Sequence, residues 1–195
     1  RCGIVGPLIA RDAGGWAARA GDDELALSVL ADRRVLWGTP REPLPIAAGE
    51  ARAALLEALA ARAFTPALPT GFDADAVLTR EGRHSRLNVR SAAIVPISAI
   101  ARWAATAADA GEGSTPERLR AAADADVLRG DQAQTLTEAF ELALELRIVH
   151  QLDQIAAGQA PDDLLDAAAM SALTRARLRD VFRAVSTVAR ELRPT

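Results

Sequence analysis

The pattern of apolar and polar positions changes character near residue 90. Before it, proline and glycine interrupt short mixed elements; after it, alanine-rich segments repeat apolar residues at helical spacing. This change predicts two parts, residues 1–90 and residues 91–195.

The residue pattern of the first part predicts a small α+β unit. The apolar run from Glu24 to Trp37 is typical of a strand or a hairpin edge, and Gly38-Thr39-Pro40 ends it. Residues Ala47 to Phe64 have helical spacing. Two short runs, Ala76–Thr79 and Arg86–Val89, predict a hairpin that leads into the helical part.

The residue pattern of the second part predicts four long helices and one short one. Ser114 and Glu117 have the spacing of a capping box, and Thr174 is the predicted cap of the last helix. The predicted helices are Ala92–Ala110, 114 to about 128, Asp131–Ala157, the short 161–169 and the last one from Thr174. Short connections between one-sided helices favour an antiparallel bundle. The predicted fold class is therefore mainly α, a C-terminal antiparallel helical bundle preceded by a small α+β remnant.

The last predicted helix has the clearest apolar stripe. Its members are Leu178, Val181, Phe182, Val185, Val188, Ala189 and Leu192. Their spacing keeps them on one face of a helix, so we expect this face to pack against the rest of the bundle.

Composition and charge narrow the function classes. A formal charge of -3, from 23 basic and 26 acidic residues, gives no global electrostatic argument for nucleic acid or anionic lipid. The single cysteine, Cys2, has no partner for an internal disulfide. No stretch approaches the roughly 18 uncharged apolar residues of a membrane span. We expect a soluble cytoplasmic protein without a membrane or nucleic-acid partner.

Polar side chains interrupt the apolar face of the longest predicted helix. Arg147 and Gln151 fall in the sector of its apolar residues, and His150 lies just beyond the edge of that sector. The sector is formed by Leu136, Phe140, Leu144, Ile148 and Ile155. A guanidinium on an apolar face costs several kcal/mol unless it is paired.

Two interpretations of these polar residues stay open. In the first, Arg147, His150 and Gln151 line a pocket or docking surface for an anionic group. In the second, Arg147 forms a buried ion pair that fixes the register of the helix. The candidate partners for that pair are Asp124, Asp180 and Glu191.

Asp32 interrupts the apolar strand of the first part. Carboxylates on adjacent strands hold the Mg²⁺ ions of polymerase-type nucleotidyl transfer, but one carboxylate does not suffice. A strand-end or salt-bridged aspartate is the alternative. His84 lies in a predicted turn, where a solvated histidine is expected.

Three stretches match motifs of a known family. Asp32 to Gly38 matches the pattern Asp-x-Arg-x-Val-x-Gly at Asp32, Arg34 and Gly38, with apolar Leu36. The other stretches are Ser114-Thr115-Pro116-Glu117-Arg118-Leu119, and Glu138-Ala139-Phe140 followed by Leu146-Arg147-Ile148-Val149-His150-Gln151-Leu152. On these motifs the sequence resembles bacterial nucleotidyltransferase-like signalling proteins. In that family a nucleotidyltransferase domain precedes a helical substrate-binding domain, and both are often linked to CBS and cyclic-nucleotide-binding domains.

The resemblance implies a chemistry and a division of the chain. The family is similar to protein-PII uridylyltransferases and to the adenylyltransferase that acts on glutamine synthetase, which transfer a nucleoside monophosphate to a protein. This implies Mg²⁺ and a nucleoside triphosphate for the intact protein, with neither bound tightly by this chain alone. Residues 1–90 would be the C-terminal portion of the nucleotidyltransferase domain, and residues 91–195 the substrate-binding domain.

The resemblance also implies residue roles. Asp32 would be the third carboxylate and a metal ligand, together with carboxylates upstream, and Arg34 would orient it or contact a phosphate. Arg147, His150 and Gln151 would bind the substrate or partner. The family's Gly-Ser-x-x-Arg-x-Glu motif followed by Asp-x-Asp does not occur as a pair in these residues, so we expect it upstream of Cys2.

Other functions compete with this one. The main alternative is a non-catalytic regulatory or protein-interaction module in nucleotide-sensing signal transduction. A nucleic-acid-associated or antitoxin-like helper is disfavoured by the acidic balance. The expected partners are a protein substrate or regulatory protein and the upstream nucleotidyltransferase and sensor domains. A homodimer through a spare apolar face is left open.

Overall fold

The computed structural model describes residues 50–64, 86–110 and 112–193 of the chain. These residues form five α-helices, a π-helical segment and two short strands. In chain order they are α1 (Glu50–Phe64), β1 (Arg86–Asn88), the π-segment (Arg90–Ile94), α2 (Val95–Ala107), α3 (Thr115–Asp124), α4 (Gly130–Ala156), β2 (Leu164–Asp166) and α5 (Ala172–Leu192). The prediction of a mainly α protein is confirmed.

Helices that follow one another in the chain pack against one another, from α1 on α2 through to α4 on α5. Arg129 and Gln132, at the start of α4, both donate to Glu191, near the end of α5, at 2.9 and 3.0 Å. The two longest helices are therefore antiparallel. One continuous apolar core runs through all five helices.

The centre of this core is built from small and branched side chains of α2. Ile97, Ile100, Ala101 and Ala104 are fully buried. Complete burial of an isoleucine side chain contributes about 1.5–3 kcal/mol, and alanine lets neighbouring helices approach closely. The alanine-rich composition is thus used where helices meet.

The predicted helix from Ala92 to Ala110 is divided in two by a proline. The π-segment leads into α2, and Pro96 lies in the first turn of α2. Proline has no N–H to donate to the carbonyl four residues earlier, so a regular α-helix does not continue through this position. At the start of the π-segment, Ser91 N donates to Asn88 Oδ1 at 2.9 Å.

The capping box predicted for α3 is confirmed. Ser114 N donates to Glu117 Oε2 at 2.7 Å, and Glu117 N donates to Ser114 Oγ at 3.5 Å. The helix ends at Asp124, before the predicted end near Leu128. Asp126 takes a φ of 57°, a left-handed conformation that aspartate tolerates better than most residues.

The segment 161–169 does not form the short helix that the sequence predicted. Its central residues form β2, which pairs with β1 in antiparallel register, Leu87 opposite Leu165. Leu164 N donates to Asp162 Oδ1 at 2.9 Å, a local bond that competes with helix formation. Burial of Leu87 and Leu165 then favours the strand. The strand predicted at Arg86–Val89 is confirmed, while its predicted partner at residues 76–79 lies outside the described residues.

The last helix begins three residues before its predicted start. Ser171, not Thr174, is the N-cap: Thr174 N donates to Ser171 Oγ at 3.1 Å. The apolar stripe is confirmed, with Leu178, Phe182 and Val185 among its buried members. The longest helix, α4, agrees with its prediction to within one residue at each end.

The first described helix is tied to α2. Arg52 Nη2 donates to the carbonyl of Ala107 at 3.1 Å, and its other terminal nitrogen pairs with Asp109. These contacts satisfy carbonyl groups at the C-terminus of α2. The division of the chain at residue 90 stays a prediction, and the strand predicted at Glu24–Trp37 lies outside the described residues.

Candidate functional site

The structure brings Arg147, His150 and Gln151 together on one side of α4, where all three bind the dipeptide Asp162–Asp163. Arg147 Nε donates to Asp163 Oδ1 at 2.6 Å, and Gln151 Nε2 donates to the same oxygen at 3.0 Å. His150 Nε2 lies 3.0 Å from Asp162 Oδ1. The predicted site residues therefore form one cluster.

The cluster also binds the backbone of the loop. Gln151 Nε2 donates to the carbonyl of Asp162 at 3.3 Å, and Asp162 N donates to Gln154 Oε1 at 2.8 Å. We call the set formed by Arg147, His150, Gln151, Gln154, Asp162 and Asp163 the polar clamp. It fastens the segment between α4 and β2 to the side of α4.

The clamp is continuous with the small sheet. Val89 N donates to the carbonyl of Asp163 at 3.1 Å, directly beside the paired strands β1 and β2. Helix α4, the loop and the sheet are thereby joined through the two aspartates.

The electrostatics of the clamp favour the ionised form of Asp162. The hydrogen bond from His150, followed by the one from the backbone N–H of Leu164, lowers the pKa of Asp162 below its ordinary value. Beside it, Asp163 faces the guanidinium of Arg147, and both side chains are largely buried, with exposed fractions of 20% and 30%. The clamp thus places two carboxylates against one arginine and one histidine.

The ion-pair interpretation of Arg147 names the right kind of interaction, but all three predicted partners are wrong. Its partner is Asp163. Glu191 binds Arg129 and Gln132 instead, Asp180 pairs with Arg183, and Asp124 is exposed at the end of α3. Arg147 lies beyond the fully buried residues of α4, where its side chain meets the loop that follows the helix.

The first interpretation gave Arg147, His150 and Gln151 an anionic group to bind, and the chain's own carboxylates bind all three. Asp163 accepts from Arg147 Nε and Gln151 Nε2, and Asp162 binds His150 Nε2. The sequence does not predict Asp162 and Asp163 as site residues, because the pattern of residues 161–169 favours a helix. The pair of adjacent acids after Pro161 was the signal that could have identified them.

The apolar sector predicted on α4 is wrong in its C-terminal half. Leu136 is fully buried, but Ile148 and Ile155 are 45% and 57% exposed. The fully buried residues of α4 end at Ala143, and Leu146 packs partly buried against the core. The predicted sector assumed that one face stays covered along the whole helix.

An apolar cleft of about 550 Å³ lies between α1, α2 and the end of α5. Phe64 and Trp103 meet there edge to face, with ring centroids 5.1 Å apart. Its lining residues are Leu56, Glu57, Ala60, Ala61, Phe64, Trp103, Ala107 and Arg193. No sequence motif pointed to this cleft, because its two aromatic residues come from separate helices.

The described part of the chain contains no group of three or more histidine, cysteine, aspartate or glutamate side chains arranged to hold a metal ion. Asp32 and Arg34 lie outside the described residues, so their roles stay predictions. None of the helices within the described ranges combines the length and apolar character needed to cross a membrane.

Comparison with known proteins adds one match. A family model described as "Putative nucleotidyltransferase substrate binding domain" matches residues 53–194. The match includes most of α1 and every later element. No curated protein and no solved structure matches the chain. The Ser114–Leu119 and Leu146–Leu152 stretches, which carried the resemblance, both lie inside the matched segment.

Proposed function

Because the chain belongs to the family of helical nucleotidyltransferase substrate-binding domains, we propose that it receives the protein target of a nucleotidyltransferase that transfers a nucleoside monophosphate. The observation that carries the proposal is the family match over residues 53–194. Membership assigns the chain a nucleotidyltransferase-associated role. The transfer to a protein, as in protein-PII uridylyltransferases, is the finer part of the proposal.

The geometry supports a receiving role for the helical part. The polar clamp fixes the loop after α4 at several points, so this end of the bundle is preorganised. The neighbouring face of the same helix exposes Ile148 and Leu152. A rigid helix with one exposed apolar face is suited to holding a partner.

We assign the catalytic part of the proposal to residues outside the described ranges. Asp32 would be the third carboxylate that binds Mg²⁺, and Arg34 would orient it or contact a phosphate of the nucleoside triphosphate. Two-metal chemistry needs further carboxylates, which the proposal places in the upstream nucleotidyltransferase domain. Among the described residues Asp162 and Asp163 are bound to His150 and Arg147, so we assign the metal no site in the helical part.

The test uses the full-length protein with Asp32→Asn. Transfer of a labelled monophosphate from UTP or ATP to candidate proteins should fall to the background level. Asp126→Asn is the matched control, because it makes the same chemical change at an exposed position whose left-handed backbone suits asparagine. Undiminished transfer by the Asp32 variant removes this residue from the site.

The second candidate is a non-catalytic regulatory or protein-interaction module. It is favoured by one observation: Arg147, His150 and Gln151 bind the chain's own loop. On this candidate the domain transmits a signal from upstream sensor domains in the cytoplasm. Wild-type full-length protein that binds its partner but transfers no label from either nucleotide supports this candidate over the first.

A further inference from the structure

The C-terminal half of α4 exposes an apolar face. The helix has 27 residues, and its buried residues end at Ala143. Beyond this point Val149 is 51% exposed and Leu152 is 57% exposed. Ile148 and Ile155 are exposed to similar extents. Contiguous exposed apolar side chains of this size mark an interaction site more often than an ordinary surface.

This face points away from the core, and Ile148 and Ile155 lie one helical turn from Gln151, beside the polar clamp. Leu152 follows Ala143 by about two and a half helical turns, which places the two on opposite sides of α4. Arg147 and Gln151 project from the side that holds the loop. Within the described ranges, neither the bundle core nor the clamped loop covers Leu152.

The exposed positions continue toward the start of the helix with alternating spacings of three and four. This is the spacing by which one helix packs along another in a coiled coil. We call these exposed positions the outward seam: Glu138, Glu141, Glu145, Ile148, Leu152 and Ile155.

The two halves of the outward seam differ in charge. The N-terminal half is acidic, and the C-terminal half is apolar. Glu138 accepts a hydrogen bond from Gln134 at 2.8 Å, while no ion pair joins Glu141 or Glu145 to a cation in the described part of the chain. A surface of this kind is complementary to a helix with apolar residues in one half and cations in the other.

We propose that the outward seam of α4 binds an amphipathic helix of a partner protein, with apolar residues opposite Ile148, Leu152 and Ile155. Arginine or lysine side chains of that helix face Glu138, Glu141 and Glu145. The bound helix runs antiparallel to α4, because opposed macrodipoles favour that orientation. Its apolar half therefore precedes its basic half in sequence.

The same charges argue against a second copy of this chain on the seam. In a two-fold antiparallel pair centred on Leu152, Glu145 of each copy faces the C-terminal end of the other α4, whose carbonyls carry partial negative charge. In a parallel pair the glutamates of the two copies lie side by side and repel each other. A basic partner helix removes both penalties.

The inference rests on the proposed receiving role, for which it names the partner's chemistry. Binding is measured without any nucleotide. If the wild-type chain binds the peptide but the wild-type full-length protein transfers no label, the catalytic proposal fails and the seam stands. If label is transferred but the peptide does not bind, the seam fails and the catalytic proposal stands.

The probe is a fluorescent peptide of about 20 residues, long enough to form a helix on binding. The peptide positions that face α4 recur at alternating spacings of three and four residues. They are leucine in the first half of the peptide and arginine in the second half. A control peptide replaces every arginine by glutamate. Anisotropy is titrated with the 195-residue chain. We expect saturable binding of the arginine peptide that weakens with added salt, and on the order of tenfold weaker binding of the control peptide.

Charge-swap variants make the test specific. Glu141→Arg combined with Glu145→Arg should reverse the preference, so that the glutamate peptide binds more tightly than the arginine peptide. Glu112→Arg combined with Asp124→Arg is the matched control, because it changes the net charge equally at exposed positions away from α4. This control should keep the wild-type preference.

The apolar half is tested by Leu152→Asp, which should abolish binding of both peptides while the circular dichroism of the chain stays unchanged. Equal binding of the two peptides by the wild-type chain, or binding of neither peptide by it, overturns the proposal. Undiminished binding by Leu152→Asp overturns it as well. Sedimentation that shows dimers which Leu152→Asp dissociates assigns the seam to a second copy and also overturns it.

Discussion

Arg147 Nε lies 2.6 Å from Asp163 Oδ1, and this ion pair joins α4 to the residue before β2. Gln151 donates to the same carboxylate oxygen. The carbonyl of Asp163 in turn accepts the N–H of Val89 beside the sheet. A family-motif arginine thus holds the chain's own loop in place, and its removal should affect folding stability.

We predict that Arg147→Met lowers the free energy of unfolding by about 1–3 kcal/mol. The substitution leaves Asp163 charged in a largely buried position with only Gln151 as a side-chain donor, and an uncompensated charge of this kind is costly. Urea unfolding followed by circular dichroism measures the change. Arg183→Met, which breaks an exposed ion pair with Asp180, is the control and should change stability by less than about 1 kcal/mol.

A double-mutant cycle separates the ion pair from other effects of the substitution. Asp163→Asn combined with Arg147→Met should be non-additive by about 0.5 kcal/mol or more, because each single variant already removes the pair. Additive effects would show that the pair with Asp163 does not stabilise the protein. Unchanged stability of Arg147→Met would favour a ligand-binding role instead.

The second prediction concerns acid stability. The hydrogen bonds from His150 and Leu164 lower the pKa of Asp162, so its ionised form stabilises the folded state above the ordinary aspartate value of about 3.9. This contribution is lost as the pH falls through the lowered pKa. Asp162→Asn should therefore be less stable than wild type at neutral pH, and the difference should shrink below a pH of about 3.9.

The measurement is the free energy of unfolding of both proteins in urea at neutral and acid pH. His150→Gln supplies the matched background, since it removes the partner that lowers the pKa of Asp162 most. In that background the pH dependence of the Asp162→Asn difference should be weaker. A difference that stays constant down to pH 3 contradicts the assignment.

Features that depend on residues within one or two helical turns of each other could be predicted from the sequence. The capping box of Ser114 and Glu117 and the stripe of α5 depend on residues three or four positions apart, and both are confirmed. The polar group Arg147, His150 and Gln151 was found for the same reason, since its members share one side of α4.

Features that depend on distant residues could not be predicted. β2 forms because it pairs with β1, which is far away in sequence, and a local pattern with Pro161 at its start favoured a helix instead. The partner of Arg147 was missed as a consequence. The point at which α4 leaves the core depends on where its neighbours end, so nothing in its own periodicity marked Ile148 and Ile155 as exposed.

The third prediction concerns the start of α3. Ser114→Ala removes the acceptor for Glu117 N and should cost about 1 kcal/mol of unfolding free energy. Ser114→Thr keeps a hydroxyl and is the matched control. Thermal unfolding compares the two, and equal melting temperatures of the alanine and threonine variants would show that the box does not stabilise α3.

The fourth prediction compares two leucines on one helix, Leu136 and Leu152. Leu136 is completely buried in the core, so Leu136→Ala should cost about 2–5 kcal/mol, since it loses buried apolar area and leaves a cavity. Leu152 is 57% exposed, so Leu152→Ala should change the stability of the chain by about 0.5 kcal/mol or less. The two variants make the same chemical change, and urea unfolding measures both, so helix propensity cancels in the comparison. A large loss for Leu152→Ala would mean that this side chain already has a partner within the chain, whereas a small loss together with weakened peptide binding is what a free docking position requires.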